Sequence, residues 1–592
     1  SNSIHPSGKQ QTIQITFLSP EQNQVNVALN SQIEFQFNTP VDTLSINQGN
    51  IKIFGDKTGE YSFERSIVYD NQNIPVGARL DPHSYFKVGE RIQVVLTRRI
   101  RFADSTQFFG FAWEFTCKTF YGSGQFNNQV NVNSGSQIAA WHIVSGDLDN
   151  DNDIDIVTAN PPAEIAVLLN DGDGDFSPSA TYSAPGFPVF VNTADYNRDG
   201  FLDISVVSDS NLYVFFNNGD ATFGAPDIYY TPHPSRPWER AWSIANADIN
   251  RDGYIDIVVS NINGGSFDVF RNDSTGIFLG PSIYVTLPAT PEHLITTDFD
   301  RDGDFDILFS DNFTHLVNYY LYENGGFPVW GTISTDGELN SIYCNDFTGE
   351  GDVDILLGTG FYSPPDDKII MILREGGNMW TQNYIVLSNP NYAVGSDVNS
   401  DGFLDVICAH NIVSAMNNIS ILLNDGNGGL STPNYIGDEV YSPFAITSAD
   451  FNGDLTIDFA VANAGSDWIS VFFNEPVSNI SEETSYPIDG FELEQNYPNP
   501  FNPVTNIDFS LPHASPQGQA RITLHVYDIV GQKVKTLVDG TLPAGNHSVQ
   551  WDGTNDDGQP VASGVYFYHL TIFPLEGGLR GVSQTRKMVL LR

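Results

Sequence analysis

The sequence predicts an all-β protein built around a seven-bladed β-propeller. Turn-forming residues are abundant, with 52 glycines and 33 prolines in 592 residues, whereas long helix-forming stretches are missing. One acidic motif recurs seven times, at spacings of 48, 53, 50, 48, 51 and 53 residues, a period typical of propeller blades and solenoid units. Hydrophobic residues make up 40% of the chain, enough to form several cores.

The charge balance excludes two classes of partner. Lys and Arg total 26 against 72 Asp and Glu, which gives a formal net charge of −46. Nucleic acids and anionic membrane surfaces are both bound through clustered cations, which this chain lacks. Unbroken apolar runs, such as 369–373 and 588–591, are far shorter than the ~20 residues of a membrane-spanning helix. We therefore expect no nucleic-acid partner and no membrane span.

The beginning of the chain and its cysteines bear on the compartment. The sequence starts at Ser1 rather than Met, so we expect that an export signal peptide has been removed. Its three cysteines, Cys117, Cys344 and Cys408, are too few for a disulfide framework. Cys344 and Cys408 lie within apolar, strand-like runs and are predicted to be buried.

The repeats have the organisation of four-stranded blades. Each copy runs directly into a strand-like segment, and six of the seven then reach a second apolar run and a Gly-rich turn. Two strands, a turn and two further strands in about 50 residues make one propeller blade. The copies begin at Asp147, Asp195, Asp248, Asp298, Asp346, Asp397 and Asp450.

The repeat count indicates how the ring closes. The seventh copy lacks the Gly-rich turn and the aromatic residue after it, and this piece appears instead before the first copy, at 121–126. The strand around Phe126 is therefore predicted to complete the last blade, which leaves no open edge. An open solenoid would need capping repeats instead.

The acidic loops have the pattern of a calcium site. Oxygen-bearing side chains fall at loop positions 1, 3, 5 and 9, and the fourth loop is the fullest, with four aspartates and Gly303 at position 6. Hard oxygen ligands in a flexible loop suit Ca²⁺ better than Mg²⁺, and the carboxylates would repel one another without a cation. An EF-hand is excluded because position 12 of this loop is Phe309 instead of Glu and a strand follows. The predicted ligands are Asp147, Asp149, Asp151 and Asp155; Asp195, Asn197, Asp199 and Asp203; Asp248, Asn250, Asp252 and Asp256; Asp298, Asp300, Asp302 and Asp306; Asp346, Thr348, Glu350 and Asp354; Asp397, Asn399, Asp401 and Asp405; and Asp450, Asn452, Asp454 and Asp458.

The seven loops are not equivalent. The fifth carries Thr348 and Glu350 at positions 3 and 5, and the seventh places Leu455 at the turning position, where a side chain is strained. We expect up to seven Ca²⁺, one per blade, with the fifth and seventh bound most weakly.

The repeated motif resembles the FG-GAP/VCBS repeats of integrin-type propellers and bacterial surface proteins. The resemblance covers residues ~119–476, seven times over. It implies that the ion in each loop is structural.

The segments on either side of the repeats resemble two Ig-like families. After a tail at 1–10, residues 11–118 show alternating strands, with Phe37, the Pro40-Val41 step and Trp113-Phe115 at the core positions of the bacterial Ig-like domain of SbsA type. This resemblance implies a β-sandwich that serves as a spacer or an interaction module. Because this domain and the C-terminal Ig-like domain lack the acidic motif, we expect both to stay folded when calcium is removed.

The C-terminal segment carries the most specific resemblance. A polar linker at 477–490 precedes residues 491–592, which contain FELEQNYPNPFNPVTNIDFSLP and end in RKMVLLR. They resemble the type IX secretion C-terminal sorting domain, which has an Ig-like fold. The resemblance implies export by the type IX machinery to the outer-membrane surface or the extracellular space.

A binding function is favoured over catalysis. No HExxH, GxSxG or phosphate-binding Gly-rich loop is present, and the 11 histidines lack metal-ligand spacing, so no enzyme is predicted. Trp141, Trp242 and Phe444 each lie six residues before an acidic loop and Trp238 lies in the loop 232–240, so we expect these aromatics to surround a ligand entrance. The function predicted is adhesion, or binding of a glycan or a protein. The alternatives are a structural subunit that polymerises with its own copies in a filament, sheath or surface layer, and a polysaccharide-active enzyme whose residues come from separate blades.

Overall fold

The computed structural model consists of strands and turns, and the residues that it describes include no helix. It describes residues 13–476 except 137–138, 232–239, 264, 287–289, 336, 361–366, 377 and 412–415, and residues 492–590 except 494–495, 500, 512–518, 528–532, 544, 556–558, 560, 562–563 and 574–581. The chain divides into two compact units, Ser1–Val477 and Ser478–Arg592. The predicted tail at 1–10 and the linker at 477–490 lie outside the described residues.

Residues 13–118 form a β-sandwich. A four-stranded sheet has the order β1-β3-β7-β6, and a five-stranded sheet has the order β2-β9-β8-β4-β5. Apolar side chains from both sheets, among them Phe35, Phe37 and Trp113, pack into one buried core. The strands are β1 Ile15–Ser19, β2 Gln24–Val27, β3 Ile33–Phe37, β4 Ile51–Gly55, β5 Gly59–Glu60, β6 Phe63–Tyr69, β7 Pro75–Pro82, β8 Arg91–Leu96 and β9 Phe111–Cys117.

The acidic repeats form seven four-stranded antiparallel sheets, and the first six each follow chain order. The acidic loop joins the first strand to the second in every sheet. The strands of these six sheets are β11 His142–Gly146, β12 Asp155–Asn160, β13 Glu164–Asn170 and β14 Phe176–Ser183; β15 Pro188–Ala194, β16 Asp203–Ser208, β17 Asn211–Phe215 and β18 Asp227–Tyr230; β19 Arg240–Ala247, β20 Asp256–Ile262, β21 Ser266–Asn272 and β22 Phe278–Thr286; β23 Pro291–Thr297, β24 Asp306–Asp311, β25 Leu316–Glu323 and β26 Gly326–Ser334; β27 Leu339–Asn345, β28 Asp354–Thr359, β29 Lys368–Glu375 and β30 Asn378–Val386; and β31 Pro390–Ser396, β32 Asp405–His410, β33 Met416–Leu422 and β34 Asn434–Asp438.

The seventh sheet combines the two ends of the repeat region. Its order is β10-β37-β36-β35, with β10 Asn128–Asn133, β35 Pro443–Ala449, β36 Asp458–Asn463 and β37 Trp468–Phe473. β10 pairs antiparallel with β37 along its whole length, from Asn128 opposite Phe473 to Asn133 opposite Trp468. Phe126, just before β10, is buried and packs edge-on against Phe459, with ring centroids 4.8 Å apart. The N-terminal strand therefore completes the last sheet, as the repeat count predicts.

The first strands of the seven sheets contact one another in a closed cycle. β11, β15, β19, β23, β27, β31 and β35 each contact the next, and β35 contacts β11. Second strands such as β12, β16 and β24 are buried along their whole length, whereas outer strands such as β14 are mostly exposed. We call this cycle the seven-sheet ring.

An asparagine near the end of the third strand links neighbouring sheets. Asn217 in the second sheet donates from Nδ2 to Leu202 O of its own loop at 3.0 Å and to Leu148 O of the preceding loop at 2.7 Å. The asparagines of the first, third and sixth sheets bridge two loops in the same way, and that of the seventh reaches the preceding loop: Asn170, Asn272, Asn424 and Asn474. Asn170 bonds to Phe451 O of the seventh sheet, so this link also crosses the closure of the ring.

Replacing Asn217 with Ala is expected to destabilise the ring by about 1–3 kcal/mol, because two buried carbonyls lose their donor. The neighbouring Asn218 is exposed and serves as the matched control, so Asn218→Ala should change stability by less than about 0.5 kcal/mol. Denaturant unfolding of the two variants measures the difference. Equal losses would mean that the link between sheets contributes nothing.

The C-terminal unit is a separate pair of sheets. A three-stranded sheet has the order β38-β39-β42 and a four-stranded sheet the order β41-β40-β43-β44. Trp551, Tyr568 and Leu570 belong to its buried core. The strands are β38 Glu492–Leu493, β39 Thr505–Leu511, β40 Gln519–Tyr527, β41 Lys533–Pro543, β42 Gly545–Trp551, β43 Gly564–Phe573 and β44 Val582–Leu590.

The predicted burial of Cys344 and Cys408 is confirmed. Cys117, Cys344 and Cys408 are all unpaired and buried. Among the residues that the structure describes, no helix is long and apolar enough to cross a membrane.

Candidate metal centres and central pocket

The seven acidic loops share one backbone conformation. The residue at position 6 has a positive φ in all seven loops. This holds even in the two loops that lack glycine there, with a φ of 79° at Asn152 and 69° at Leu455. In every loop the carboxylate at position 1 accepts the N–H of position 6, at 2.6–3.1 Å. The position-1 aspartate thus holds the loop closed.

The aspartate at position 9 has a second role that the sequence analysis missed. Its Oδ1 accepts a backbone N–H from the end of the third strand in all seven sheets, at 2.8–2.9 Å. In six loops its Oδ2 also accepts the N–H of position 2, at 2.9–3.1 Å. This residue fastens the loop to its own sheet, whether or not it also contacts a cation.

Two loops bring three carboxylates together. Asp147, Asp149 and Asp151 form one group and Asp298, Asp300 and Asp306 form another, with one oxygen of each residue within 4.8 Å of the others. Within the described residues, Oδ1 of Asp147 and Oδ1 of Asp298 are buried and have no hydrogen-bond partner. A buried carboxylate oxygen without a partner is costly, so a divalent cation fits these two loops.

The electrostatics of the loops agree with this fit. Burial, and then the neighbouring carboxylates, raise the pKa of Asp306 to about 9 and the pKa of Asp302 to about 7. Burial likewise raises the pKa of Asp155 to about 8 and that of Asp147 to about 6. A cation placed among these groups would favour their charged forms.

The fifth loop is organised differently. Oδ1 of Asp346 accepts backbone N–H groups from Thr348, Gly349 and Glu350, and the Thr348 hydroxyl lies 3.4 Å from both Asp346 and Asp354. The position-1 carboxylate is therefore already satisfied by the protein. In the second, sixth and seventh loops, the position-3 amide donates to the position-5 aspartate, at 2.9–3.2 Å.

The β-sandwich at 13–118 packs against the face of the ring that carries the acidic loops. Its backbone and side chains hydrogen-bond to each of the first five loops. Lys57 and Lys87 contact the first loop and Glu60 the second. Arg98 contacts the third loop, Ala112 the fourth and Asn23 the fifth. Three of these bonds reach the carbonyl of position 6: those of Asn152, Gly303 and Gly351, at 2.7–2.9 Å. The approach is so close that a Cβ on Gly303 would lie 2.2 Å from the Phe111 ring.

The sandwich also contacts a predicted metal ligand directly. Gln22 Nε2 donates to Oδ2 of Asp298 at 2.6 Å. Glu60 forms ion pairs with Lys52 of the sandwich and with Arg198 of the second acidic loop. With these contacts we expect the sandwich to unfold together with the ring when calcium is removed, whereas the absence of the acidic motif alone predicts that it stays folded. The sandwich and the ring belong to one compact unit, because the sandwich completes the surroundings of the loops.

The opposite face of the ring carries a pocket. A cavity of about 350 Å³ is lined by the residue that stands six positions before each acidic loop. In six sheets a β-bulge falls at this residue, between pairs such as Pro188/Phe190 and Pro291/His293, and a bulge re-aims the side chain. The seven residues, which we call the mouth ring, are Trp141, Val189, Trp242, Glu292, Asn340, Asn391 and Phe444.

The structure brings together three of the four aromatics that the sequence analysis selected. Trp141 and Phe444 lie with ring centroids 5.0 Å apart, and Trp242 lines the same cavity. Trp238 lies outside the described residues. The sequence analysis missed the other four members of the mouth ring, although the same six-residue spacing identifies them.

Four rings close the channel beneath the mouth ring. His142 stacks on Phe190 at 3.6 Å between centroids, and His293 stacks on Tyr392 at 5.4 Å. Burial, and then the neighbouring His293, lower the pKa of His142 well below its usual value, and burial lowers the pKa of His293 to about 4. Both imidazoles are therefore neutral at pH 7.

Acid is expected to destabilise the protein through these histidines. A histidine whose pKa is lower in the folded state contributes its stability fully above pH ~6.5, and that contribution is lost as the pH falls towards 4. For His293 the loss reaches about 3 kcal/mol. Denaturant unfolding at pH 7 and pH 5 should show a smaller pH dependence in His293→Gln than in the wild type, whereas the exposed His83→Gln should match the wild type. An unchanged slope in His293→Gln would contradict this origin.

Family comparisons identify the repeats and both flanking domains. An FG-GAP-like repeat matches residues 147–206, 195–259, 248–309 and 397–461. A bacterial Ig-like domain matches residues 9–117, and the FlgD Ig-like domain matches residues 502–572. The predictions of FG-GAP-like repeats and of Ig-like domains at both ends are confirmed.

Curated relatives match only part of the chain. Cartilage acidic protein 1 from Homo sapiens is 27% identical over 162 residues, which are 25% of this chain and 24% of that protein. The Mus musculus protein is 26% identical over 162 residues, 25% of each chain. The match thus spans about a quarter of the length of these relatives.

Solved structures show only a distant likeness. BBS1N in complex with ARL6DN has a TM-score of 0.43 at 11% identity, and covers 60% of this chain and 99% of its own. A putative 6-phosphogluconolactonase from Bacteroides fragilis has a TM-score of 0.41 at 13% identity, with 67% and 98% covered. An Agrocybe aegerita lectin that recognises non-reducing terminal N-acetylglucosamine has a TM-score of 0.36 at 17% identity, with 75% and 98% covered. At these TM-scores the likenesses carry nothing about activity.

The domain content is that of a surface protein. FG-GAP-like repeats combined with Ig-like domains fit a cell-surface protein of the adhesion type, and both are typical of extracellular proteins.

Proposed function

We propose that the chain is an exported, calcium-stabilised seven-bladed β-propeller that binds a glycan or protein ligand in adhesion at the cell surface. The observation that carries this proposal is the division between the two faces of the ring. The β-sandwich covers the face with the acidic loops, whereas the opposite face presents a pocket lined by aromatic and polar side chains. Convergent aromatic and polar groups in a concave site are the usual features of ligand binding.

The propeller assignment is supported by the contacts between sheets. Seven four-stranded sheets whose first strands contact one another in a cycle correspond to seven blades around a central channel. The strand pairing of β10 with β37 supplies the closure that such a ring needs.

The calcium assignment is supported by the first and fourth loops. Asp147, Asp149 and Asp151 would hold an ion in one, and Asp298, Asp300 and Asp306 would hold it in the other. The ion would neutralise the buried carboxylates, and the protein side chains would fix the loop beside the sandwich. We assign it a structural role, because both groups lie on the face that the sandwich covers and away from the mouth ring.

The export assignment is supported by the C-terminal segment. Its match to the FlgD Ig-like domain agrees with the fold implied by the resemblance of 491–592 to type IX sorting domains. We propose that this segment directs the chain through the type IX machinery and that the chain has no catalytic activity of its own.

Two measurements in the native host test the proposal. Deleting residues 491–592 should retain the protein in the periplasm, so that surface labelling of intact cells is lost. Cells that display the full chain should adhere to a glycan- or protein-coated surface better than cells without the gene. Unaltered surface delivery would contradict the export assignment, and equal adherence would contradict the adhesion function. Regular polymers of the native protein in electron micrographs would favour the filament alternative.

A further inference from the structure

The mouth ring has an apolar half and a polar half. Going around the channel, the seventh, first, second and third sheets contribute Phe444, Trp141, Val189 and Trp242, and the fourth, fifth and sixth contribute Glu292, Asn340 and Asn391. Since each sheet places one residue at the same height, the two halves face each other across the cavity. Phe187 extends the apolar half, with its ring edge-on to Trp141 at 4.8 Å.

The polar half consists of two hydrogen-bonded amides and the carboxylate of the neighbouring sheet. Asn340 donates to Oδ1 of Asn391 at 3.3 Å, and Asn391 lies 3.5 Å from Phe444 O. Asn312 and Trp242 lie beside the Glu292 carboxylate and favour its charged form, which partly offsets the effect of burial on its pKa. Amides both donate and accept hydrogen bonds, and this matches a ligand whose groups also do both.

The charges of the described lining residues favour a neutral ligand over an anionic one. No Lys or Arg is among the lining residues that the structure describes, and both histidines in the floor are neutral at pH 7. Glu292 is the one carboxylate among those residues, and burial raises its pKa. Among these residues a sulfate, phosphate or uronate group would meet no cation, and it would be repelled by Glu292 when that residue is ionised.

We propose that the mouth ring binds a neutral sugar residue of a glycan, with the C–H face of the pyranose on the Trp141 and Trp242 side and its hydroxyls on the amides and Glu292. A pyranose has one face of C–H groups and an edge of hydroxyls that donate and accept, so it suits both halves of the ring. The cavity of about 350 Å³ lies at the small end of the ~300–1,000 Å³ of ligand sites, which suits a short saccharide. This inference rests on the proposed binding function and names its ligand class.

The test uses the full chain in saturating Ca²⁺ on an array of neutral, acidic and amine-bearing glycans, followed by titration calorimetry with the best neutral glycan. Binding to neutral glycans is expected, with a loss of affinity of about tenfold or more in Trp141→Ala and Trp242→Ala. Trp330→Ala is the matched control, because Trp330 is 53% exposed on the outer strand of the fourth sheet and is absent from the pocket lining; its affinity should equal that of the wild type. Melting temperatures of all variants separate loss of binding from loss of folding.

Glu292→Gln distinguishes a sugar from a cationic ligand. The amide still donates and accepts, so binding of a neutral glycan should weaken by less than about tenfold, whereas a ligand held by its positive charge should lose far more. Choline chloride, a quaternary ammonium salt, is the cationic probe, and glucuronic acid is the anionic probe.

Several outcomes would overturn the proposal: binding only to acidic glycans, binding of choline in place of neutral sugars, no binding on the array, or equal affinities in wild type and both Trp variants. The cell adherence assay keeps the broader function distinguishable. If Trp141→Ala cells still adhere as the wild type does, adhesion stands and the assignment of the mouth ring falls; if wild-type cells do not adhere, the function itself falls.

Discussion

Removing calcium with EDTA is expected to lower the melting temperature of the unit formed by the β-sandwich and the seven-sheet ring by at least about 5 °C. One site at 100 times its dissociation constant adds ~2.7 kcal/mol to the free energy of unfolding, and we propose two such sites, in the first and fourth loops. Because the sandwich packs on the loops, it should unfold in the same transition. Differential scanning calorimetry with and without EDTA, together with metal analysis, measures both effects.

Substitutions in two loops provide the matched control for this result. Asp298→Asn in the fourth loop should reduce the stabilisation gained on adding Ca²⁺, because it removes a charge from a convergent group. Asp346→Asn in the fifth loop should lower stability equally with Ca²⁺ and with EDTA, because its carboxylate is already bonded to backbone N–H groups. If neither EDTA nor Asp298→Asn changes the transition, the loops are ordinary turns.

Loss of β10, the strand that completes the seventh sheet, should lower the melting temperature about as much as removing calcium does. Replacing residues 128–133 with a Gly/Ser segment removes β10 and exposes the edge of β37, so we expect a lower melting temperature and aggregation of the protein. Phe126→Ala should lower the free energy of unfolding by about 3–5 kcal/mol, since the phenyl ring of Phe126 is buried against Phe459.

Val130 supplies the control for the closing strand. It lies in β10 but is 37% exposed, so Val130→Ala should cost less than about 1 kcal/mol. Denaturant unfolding compares the two substitutions, and light scattering follows aggregation. A protein without β10 that melts as the wild type does would show that the seventh sheet does not need the N-terminal strand.

The repeat architecture was predictable because its signals are local. The predicted ligands of each loop lie within nine residues, and in the first and fourth loops the tight turn brings three of their carboxylates together. The positive φ at Asn152 and Leu455 follows from the same alignment of repeats. Closure by β10 was predictable too, because counting turns and loops requires no knowledge of side-chain contacts.

What the sequence by itself determined is therefore the all-β class, the seven repeats, their offset and the two Ig-like domains at the ends. Only the tertiary structure decided that the sandwich lies on the acidic loops, where Gln22 reaches Asp298 across 276 residues of chain. It also decided that six β-bulges, together with Trp141 just before β11, direct an apolar half and a polar half towards the same pocket. The physical reason is that a period in the sequence specifies which residues are equivalent, whereas the direction of a side chain and the docking of two domains depend on packing between residues far apart in the chain.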